Sequence, residues 1–328
     1  MEASQCRICK TNTLGGKGIV VPEYFGEGVF EYRHCHNCDG LSVHFEEPVP
    51  SNFFQSTYER IYSNSAAIPG YTRYVYYSKR VRNVRDPLGF LAENERMYFA
   101  VKQYLRQVAT KDKPIRILEV GCGYGYLVYA LRQLGYEAFG IDISKTAVDQ
   151  ALENFGPWYI NGDATAPLQV QPFDLIIATE VIEHIADPSI FIKGLSQHVL
   201  PGGVILITTP EKEVNQWIWS TDLPPVHWTY WSKLSVRQFC DQLGMPFKYI
   251  AMEDWKRNVL WELLKSGTQP TVPPHFSRGS SGKFDRYKWK ARRGVHAASR
   301  LLYPLFKWQL PRIKTVDPIV AFAITKLN

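Results

Sequence analysis

The stretch Ile117-Leu-Glu-Val-Gly-Cys-Gly-Tyr-Gly125 limits what this chain can fold into more than any other. The apolar run from Ile115 to Val120 predicts a strand. Gly121, Gly123 and Gly125 predict a tight turn, and the amphipathic run from Leu127 to Leu134 a helix. Glycines at such a turn let a ligand approach the backbone, and the first turn of the helix leaves free N–H groups pointing at it. The next predicted strand, Ala138 to Ile141, ends in Asp142. A carboxylate at the tip of the second strand is placed to accept hydrogen bonds from two ribose hydroxyls. The turn is not a dinucleotide fingerprint, because Tyr126 stands where that motif needs a third glycine or alanine.

The order continues downstream. Asn161-Gly-Asp163 supplies a second acidic position after a third strand. Phe173 to Glu180 reads as a fourth strand, apolar enough to be buried on both faces. Leu200-Pro-Gly-Gly203 turns into a fifth, Val204 to Pro210. From about Arg116 to Gly244 this set closely resembles the S-adenosylmethionine-dependent methyltransferases with a Rossmann-like fold. The resemblance implies that Glu119, Gly121 and Gly123, with Gly125 closing the turn, line the methionine and ribose end of the cofactor. It implies that Asp142 holds the ribose hydroxyls and that Asp163 lies at the adenine amine. A Rossmann-like domain that binds the cofactor without turnover fits the same residues.

The chain has 328 residues and 45% hydrophobic side chains, enough for one large core with additions. No run approaches eighteen apolar residues, so no membrane span is expected. Met1-Glu-Ala-Ser-Gln-Cys-Arg lacks an apolar signal region, which gives a cytoplasmic expectation.

Cys6-Arg-Ile-Cys9 and Cys35-His-Asn-Cys38 are two Cys-x-x-Cys knuckles. Each puts two thiolates on one turn, and two such turns together make a tetrahedral four-sulfur site suited to structural zinc. Disulfides are the competing reading and conflict with a cytoplasmic location. Four thiolates leave no open position, so no chemistry at the zinc is expected, and His34 and His36 read as bystanders. Beyond the knuckles comes a tyrosine-rich connector with Phe54, Tyr58 and Tyr62. A single helix is expected over Pro87 to Thr110, where Leu91, Met97, Val101, Tyr104, Leu105 and Val108 recur at helical spacing. Ribbon, connector, helix and core together resemble a bacterial family of zinc-ribbon methyltransferases. Its members act on sugars, on surface polysaccharide precursors or in natural-product assembly. Its sugar C-methyltransferases usually carry a further C-terminal domain, for which this chain is short, which speaks against C-methylation; the methyl is expected to go to oxygen.

Ligands of an open α/β sheet bind beyond the carboxyl ends of its strands. There the fourth strand ends in Thr179-Glu180-Val-Ile-Glu-His-Ile-Ala-Asp-Pro188, a string that recurs in the small-molecule branch of the resembled family. An alcohol acceptor must lose its proton during in-line methyl transfer, and histidine is suited to that near neutral pH. His184 and His227 are the base candidates, each with a structural alternative. Glu180 and Glu183 are placed to orient the acceptor or the cofactor amine. Trp217, Trp219, Trp228 and Trp231 suit either a core or a stacking face for a ring-shaped acceptor.

The charge is uneven. From Lys265 to the end there are thirteen Lys/Arg against two acids, more than the whole net charge of +7. This basic stretch reads as a helical insertion before a last, antiparallel strand, Pro318 to Lys326. It suits contact with an anionic membrane, as for a lipid-linked glycan at the inner membrane face, or a lid, or a solvated cap. The organisation expected is a zinc ribbon over 1–48, a connector and helix over 49–112 and a methyltransferase core over 113–256. The basic insertion follows over 257–315, and the last core strand over 316–328. The fold class expected is α/β, with a Rossmann-like seven-stranded methyltransferase sheet. The expected acceptor is a small molecule or saccharide. A ribosomal-RNA base methyltransferase, which pairs a similar ribbon with this core, is the rival that would make nucleic acid the partner.

Overall fold

The computed structural model describes residues 5–12, 14–25, 28–44, 53–65, 71–108, 115–211, 223–252 and 319–327. The basic insertion, Trp217 and Trp219 lie outside them.

Three N-terminal strands, β1 (Leu14–Pro22), β2 (Val29–Cys35) and β3 (Leu41–His44), pair as an antiparallel meander. Four helices follow: α1 (Phe53–Ser63), α2 (Thr72–Arg80), α3 (Pro87–Asn94) and α4 (Arg96–Val108). The main sheet then opens with β4 (Arg116–Val120), α5 (Tyr126–Gln133), β5 (Glu137–Asp142), α6 (Lys145–Phe155) and β6 (Tyr159–Asn161). It continues with β7 (Phe173–Thr179), α7 (Pro188–Ser196) and β8 (Val199–Pro210). The short β9 (Thr229–Tyr230) leads into α8 (Lys233–Leu243), and β10 (Phe247–Tyr249) and β11 (Ile319–Thr325) end the described elements.

The main sheet has seven strands in the order β10-β11-β8-β7-β4-β5-β6. β4 to β8 run parallel, and β11 is antiparallel to both neighbours, as expected for the last strand. β7 and β11 are apolar along nearly their whole length because both faces are covered. β4 pairs with β5 on one side and β7 on the other. The strand order therefore reverses at β4, and a crevice opens beyond the carboxyl ends of β4 and β7, where such sheets bind ligands.

One finding differs from the sequence-based reading and one decides between its alternatives. The helix expected over Pro87 to Thr110 is two helices. Glu95 is extended (φ −132°, ψ 137°), and its buried carboxylate accepts a hydrogen bond from Tyr77 Oη at 2.8 Å and pairs with Arg73 Nε at 3.1 Å. Those partners sit on α2, so helical spacing within 87–110 carries no sign of the break. The second finding concerns the tryptophans. Trp228 and Trp231 are fully buried and their indole N–H groups bond within the chain, to Pro225 O and Thr229 Oγ1, so these two pack the core.

Candidate active site

The predicted strand, turn and helix are β4, Gly121–Gly125 and α5. Gly123 has φ +48°, and a Cβ there would stand 2.7 Å from the Tyr62 hydroxyl. Gly125 caps α5 at φ +76°, and a Cβ there would run into the Tyr159 ring. A side chain at either position would strain the turn, and one at Gly123 would also crowd the cavity.

The acidic positions converge on this turn. Asp142 is buried at the end of β5. Its Oδ2 accepts from Gly123 N at 2.8 Å and its Oδ1 from Ser144 N at 2.9 Å. Burial pushes its carboxyl up to about 6, and those two backbone donors only partly offset the effect. Glu119 is buried on β4, and its Oε2 has no hydrogen-bond partner among the described residues. Burial raises its carboxyl well above the usual range. Asp163 holds its own loop, with Oδ1 accepting from Thr165 N and Oγ1. Glu180 follows β7 at φ +54°, accepts from Thr208 Oγ1 at 2.9 Å, and is pushed up to about 7 by burial.

Glu119, Gly121, Gly123, Asp142, Asp163 and Glu180 line one cavity of about 590 Å³, a size typical of ligand sites, and Gly125 lies behind it at the start of α5. Glu183, His184 and His227 line the cavity too. The two imidazoles meet edge to face with centroids 4.7 Å apart. The Val226 carbonyl lies 2.6 Å from His184 Nδ1. A carbonyl only accepts, so Nδ1 carries the proton and Nε2 of the neutral ring presents its lone pair. Glu183 is 1% exposed, with Oε1 3.8 Å from His184 Nε2.

Sequence reasoning missed a tyrosine wall of the cavity. α1 and α2 bring Tyr58, Tyr62 and Tyr74 into the cavity, and Tyr71 joins them from the residue preceding α2. The Tyr58 ring lies 5.6 Å from that of His184, and its buried hydroxyl has no hydrogen-bond partner among the described residues. The density of tyrosines between 58 and 77 was the available signal.

The two cysteine knuckles come together. Cys6 Sγ and Cys38 Sγ are 3.7 Å apart, and Cys9 Sγ and Cys35 Sγ 3.6 Å. All four are free thiols, buried, with sulfurs within 4.8 Å of one another. A tetrahedron with metal–sulfur bonds of about 2.3 Å has edges of about 3.8 Å, so the set fits a zinc ion. Hydrogen bonding to Cys35 and Cys6, with burial, drives the Cys38 thiol far above its ordinary range. A dication at the centre reverses that preference and lets four thiolates coexist. His34 turns to Asp39, 3.0 Å away, and is not one of the four.

Residues 91–246 match the model of a family described as a methyltransferase domain. The ubiquinone biosynthesis O-methyltransferase of Leptothrix cholodnii is 32% identical over 114 residues, 32% of this chain and 48% of that protein. Its namesake in Mesorhizobium japonicum is 35% identical over 101 residues, 29% of this chain and 41% of that protein. The chain thus spans less than half the length of these curated relatives. Among solved structures, phospholethanolamine N-methyltransferase 2 of Haemonchus contortus aligns with a TM-score of 0.51 at 16% identity. The alignment covers 94% of this chain and 72% of that one, and it shows a shared fold. With the sheet order, the glycine turn and the family match in agreement, the chain carries a methyltransferase domain on the Rossmann-like fold that S-adenosylmethionine-dependent enzymes use.

Proposed function

We propose that this protein methylates a hydroxyl group of a small molecule, a saccharide or natural product, by in-line transfer with His184 as general base. One observation carries the reading. His184, whose Nδ1 is 2.6 Å from the Val226 carbonyl so that the neutral ring has its lone pair on Nε2, lines one cavity with Gly121, Gly123 and Asp142, so a proton acceptor and the proposed nucleoside cradle lie around the same space.

Bound S-adenosylmethionine supplies an electrophilic methyl group on a sulfonium centre. Glu119 and the Gly121–Gly125 turn would hold its amino-acid end. The unpartnered Glu119 oxygen supports this, because a buried carboxylate oxygen calls for a donor. Asp142 would accept from the ribose hydroxyls, Asp163 would meet the adenine amine, and Glu180 would orient the cofactor or the acceptor. His184 Nε2 takes the acceptor's hydroxyl proton as the oxygen attacks. Glu183, 3.8 Å away, then stabilises the imidazolium. His227 packs against the ring and keeps it in place. The Tyr58 hydroxyl has a proton to donate to the acceptor. The curated relatives are named O-methyltransferases, which supports oxygen as the methylated atom. The tyrosine wall supports a ring-shaped acceptor. Zinc on the four cysteines would be structural.

The test is transfer of label from tritiated S-adenosylmethionine to fractionated small metabolites, nucleotide sugars, lipid-linked glycans and total RNA. Label in a small-molecule or glycan fraction is expected. His184→Ala should lower turnover about 100-fold or more and His227→Ala less, with cofactor affinity unchanged. Label in RNA alone would overturn the reading and favour a base methyltransferase.

A further inference from the structure

The cysteine module does not fold beside the site; it is tied to both segments that carry the histidines. Its sheet runs in the order β1-β2-β3-β9, and its fourth strand, β9, begins two residues after His227. Val43 N on β3 donates to Trp228 O, and Trp228 N in turn donates to Glu183 O at 2.8 Å. One backbone ladder therefore runs from the knuckle sheet to the residue beside His184.

Two side chains reinforce it. Arg7 lies between Cys6 and Cys9. Its Nε donates to Val43 O at 3.0 Å and its Nη1 to Ala186 O at 2.9 Å, with the guanidinium over the Trp228 ring. A rigid two-pronged donor of this kind fixes two carbonyls at once. Tyr32, fully buried on β2, donates from its hydroxyl to His227 O at 2.6 Å. Both holds depend on where the cysteines sit. Arg7 is inside one knuckle, and Tyr32 is three residues before Cys35.

We propose that the four-cysteine module is a positioning device for the histidine pair. Arg7 and Tyr32 are its two holds, and metal loading of Cys6, Cys9, Cys35 and Cys38 sets them. The module acts from behind the site, through the backbone of residues 183–186 and 226–228. Arg7 and Tyr32 are positioning residues, distinct from the groups that face the cavity. The inference deepens the function proposed above and rests on His184 and His227 serving it.

The experiment uses the full chain with 15N-labelled histidines, saturated with S-adenosylhomocysteine. The His184 signals are assigned by loss in His184→Gln. Long-range 1H–15N spectra report the tautomer directly. Arg7→Met keeps an apolar stem over Trp228, and Tyr32→Phe removes one hydroxyl. Both variants are expected to retain stoichiometric zinc and cofactor-product affinity within about twofold. The protonated Nδ1 signature of His184 should give way to a mixture of tautomers. Once an acceptor is known, kcat should fall about 10- to 100-fold with the cofactor KM unchanged. Chelating zinc from the wild type should produce the same histidine change.

Histidine spectra that superimpose on wild type in both variants, or in the zinc-depleted protein, would overturn the proposal. So would loss of zinc from both variants, which would make Arg7 and Tyr32 parts of a staple only. The spectra are read without acceptor, so they stand apart from the functional reading. Methyl transfer indifferent to His184→Ala would remove that reading and leave the spectra as they are.

Discussion

At Asp142 the cost of folding meets the ligand role proposed above. Burial lifts its carboxyl from an ordinary value near 3.8 to about 6. A carboxyl whose folded pKa is raised holds its proton more tightly when folded, so ionising it costs stability. The cost is absent below the ordinary value, grows as pH rises from about 4 to about 6, and is complete above that, at about 3 kcal/mol. In the role proposed for it, Asp142 accepts from ribose hydroxyls and must be ionised to do so. S-adenosylhomocysteine affinity should therefore weaken about tenfold per pH unit below about 6. Asp142→Asn should abolish that slope and weaken binding at neutral pH by about 10- to 100-fold. Calorimetry across the pH range checks both, and a slope that survives the substitution would assign it to another group. Gly123 is the second sensitive position. Gly123→Ala meets the Tyr62 hydroxyl at a positive φ and should cost about 1–3 kcal/mol in urea unfolding.

At the scale of elements, the break between α3 and α4 at Glu95 is a joint held by charge. The carboxylate is buried against Arg73 and Tyr77, which ties α2 to the start of α4. Glu95→Ala would remove the buried carboxylate that Arg73 and Tyr77 share. Urea unfolding should register a loss of about 3 kcal/mol. The exposed pair Lys102–Asp86 is the contrast, since Lys102→Ala should change stability by about 0.5 kcal/mol or less. Equal effects at the two sites would mean that Glu95 is an ordinary helix-end residue. α8 is held in a similar way by polar groups from elsewhere in the chain. Ser232 and Ser235 form its capping box and both donate to Cys38 O, so the helix start and the second knuckle share a carbonyl.

For the molecule as a whole, these ties predict that the cysteine module and the main sheet unfold together. Cys6, Ile8, Cys9, Cys35 and Cys38 belong to the same buried cluster as Val120, Ile207 and Phe322. Metal bound only by the folded state adds to the stability of everything that unfolds with it. Chelation should lower the melting temperature of the entire domain in a single transition by calorimetry. Two separate transitions would show that the module unfolds alone.

What was legible in the sequence was whatever is carried by a few consecutive residues. A glycine turn between an apolar strand and an amphipathic helix, an acid at the next strand end, and two Cys-x-x-Cys turns each encode their local geometry. The backbone there has few alternatives, and from them the sheet, the glycine turn at the cavity and the sulfur cluster could be read. The tertiary structure alone decided what depends on groups far apart in the chain. The proton on His184 is placed by the carbonyl of Val226, the helix is broken at Glu95 by side chains of α2, and the tyrosine wall comes from α1, α2 and the residue before α2. No spacing within either partner records such a contact, because burial and hydrogen-bond complementarity exist only once the segments have met.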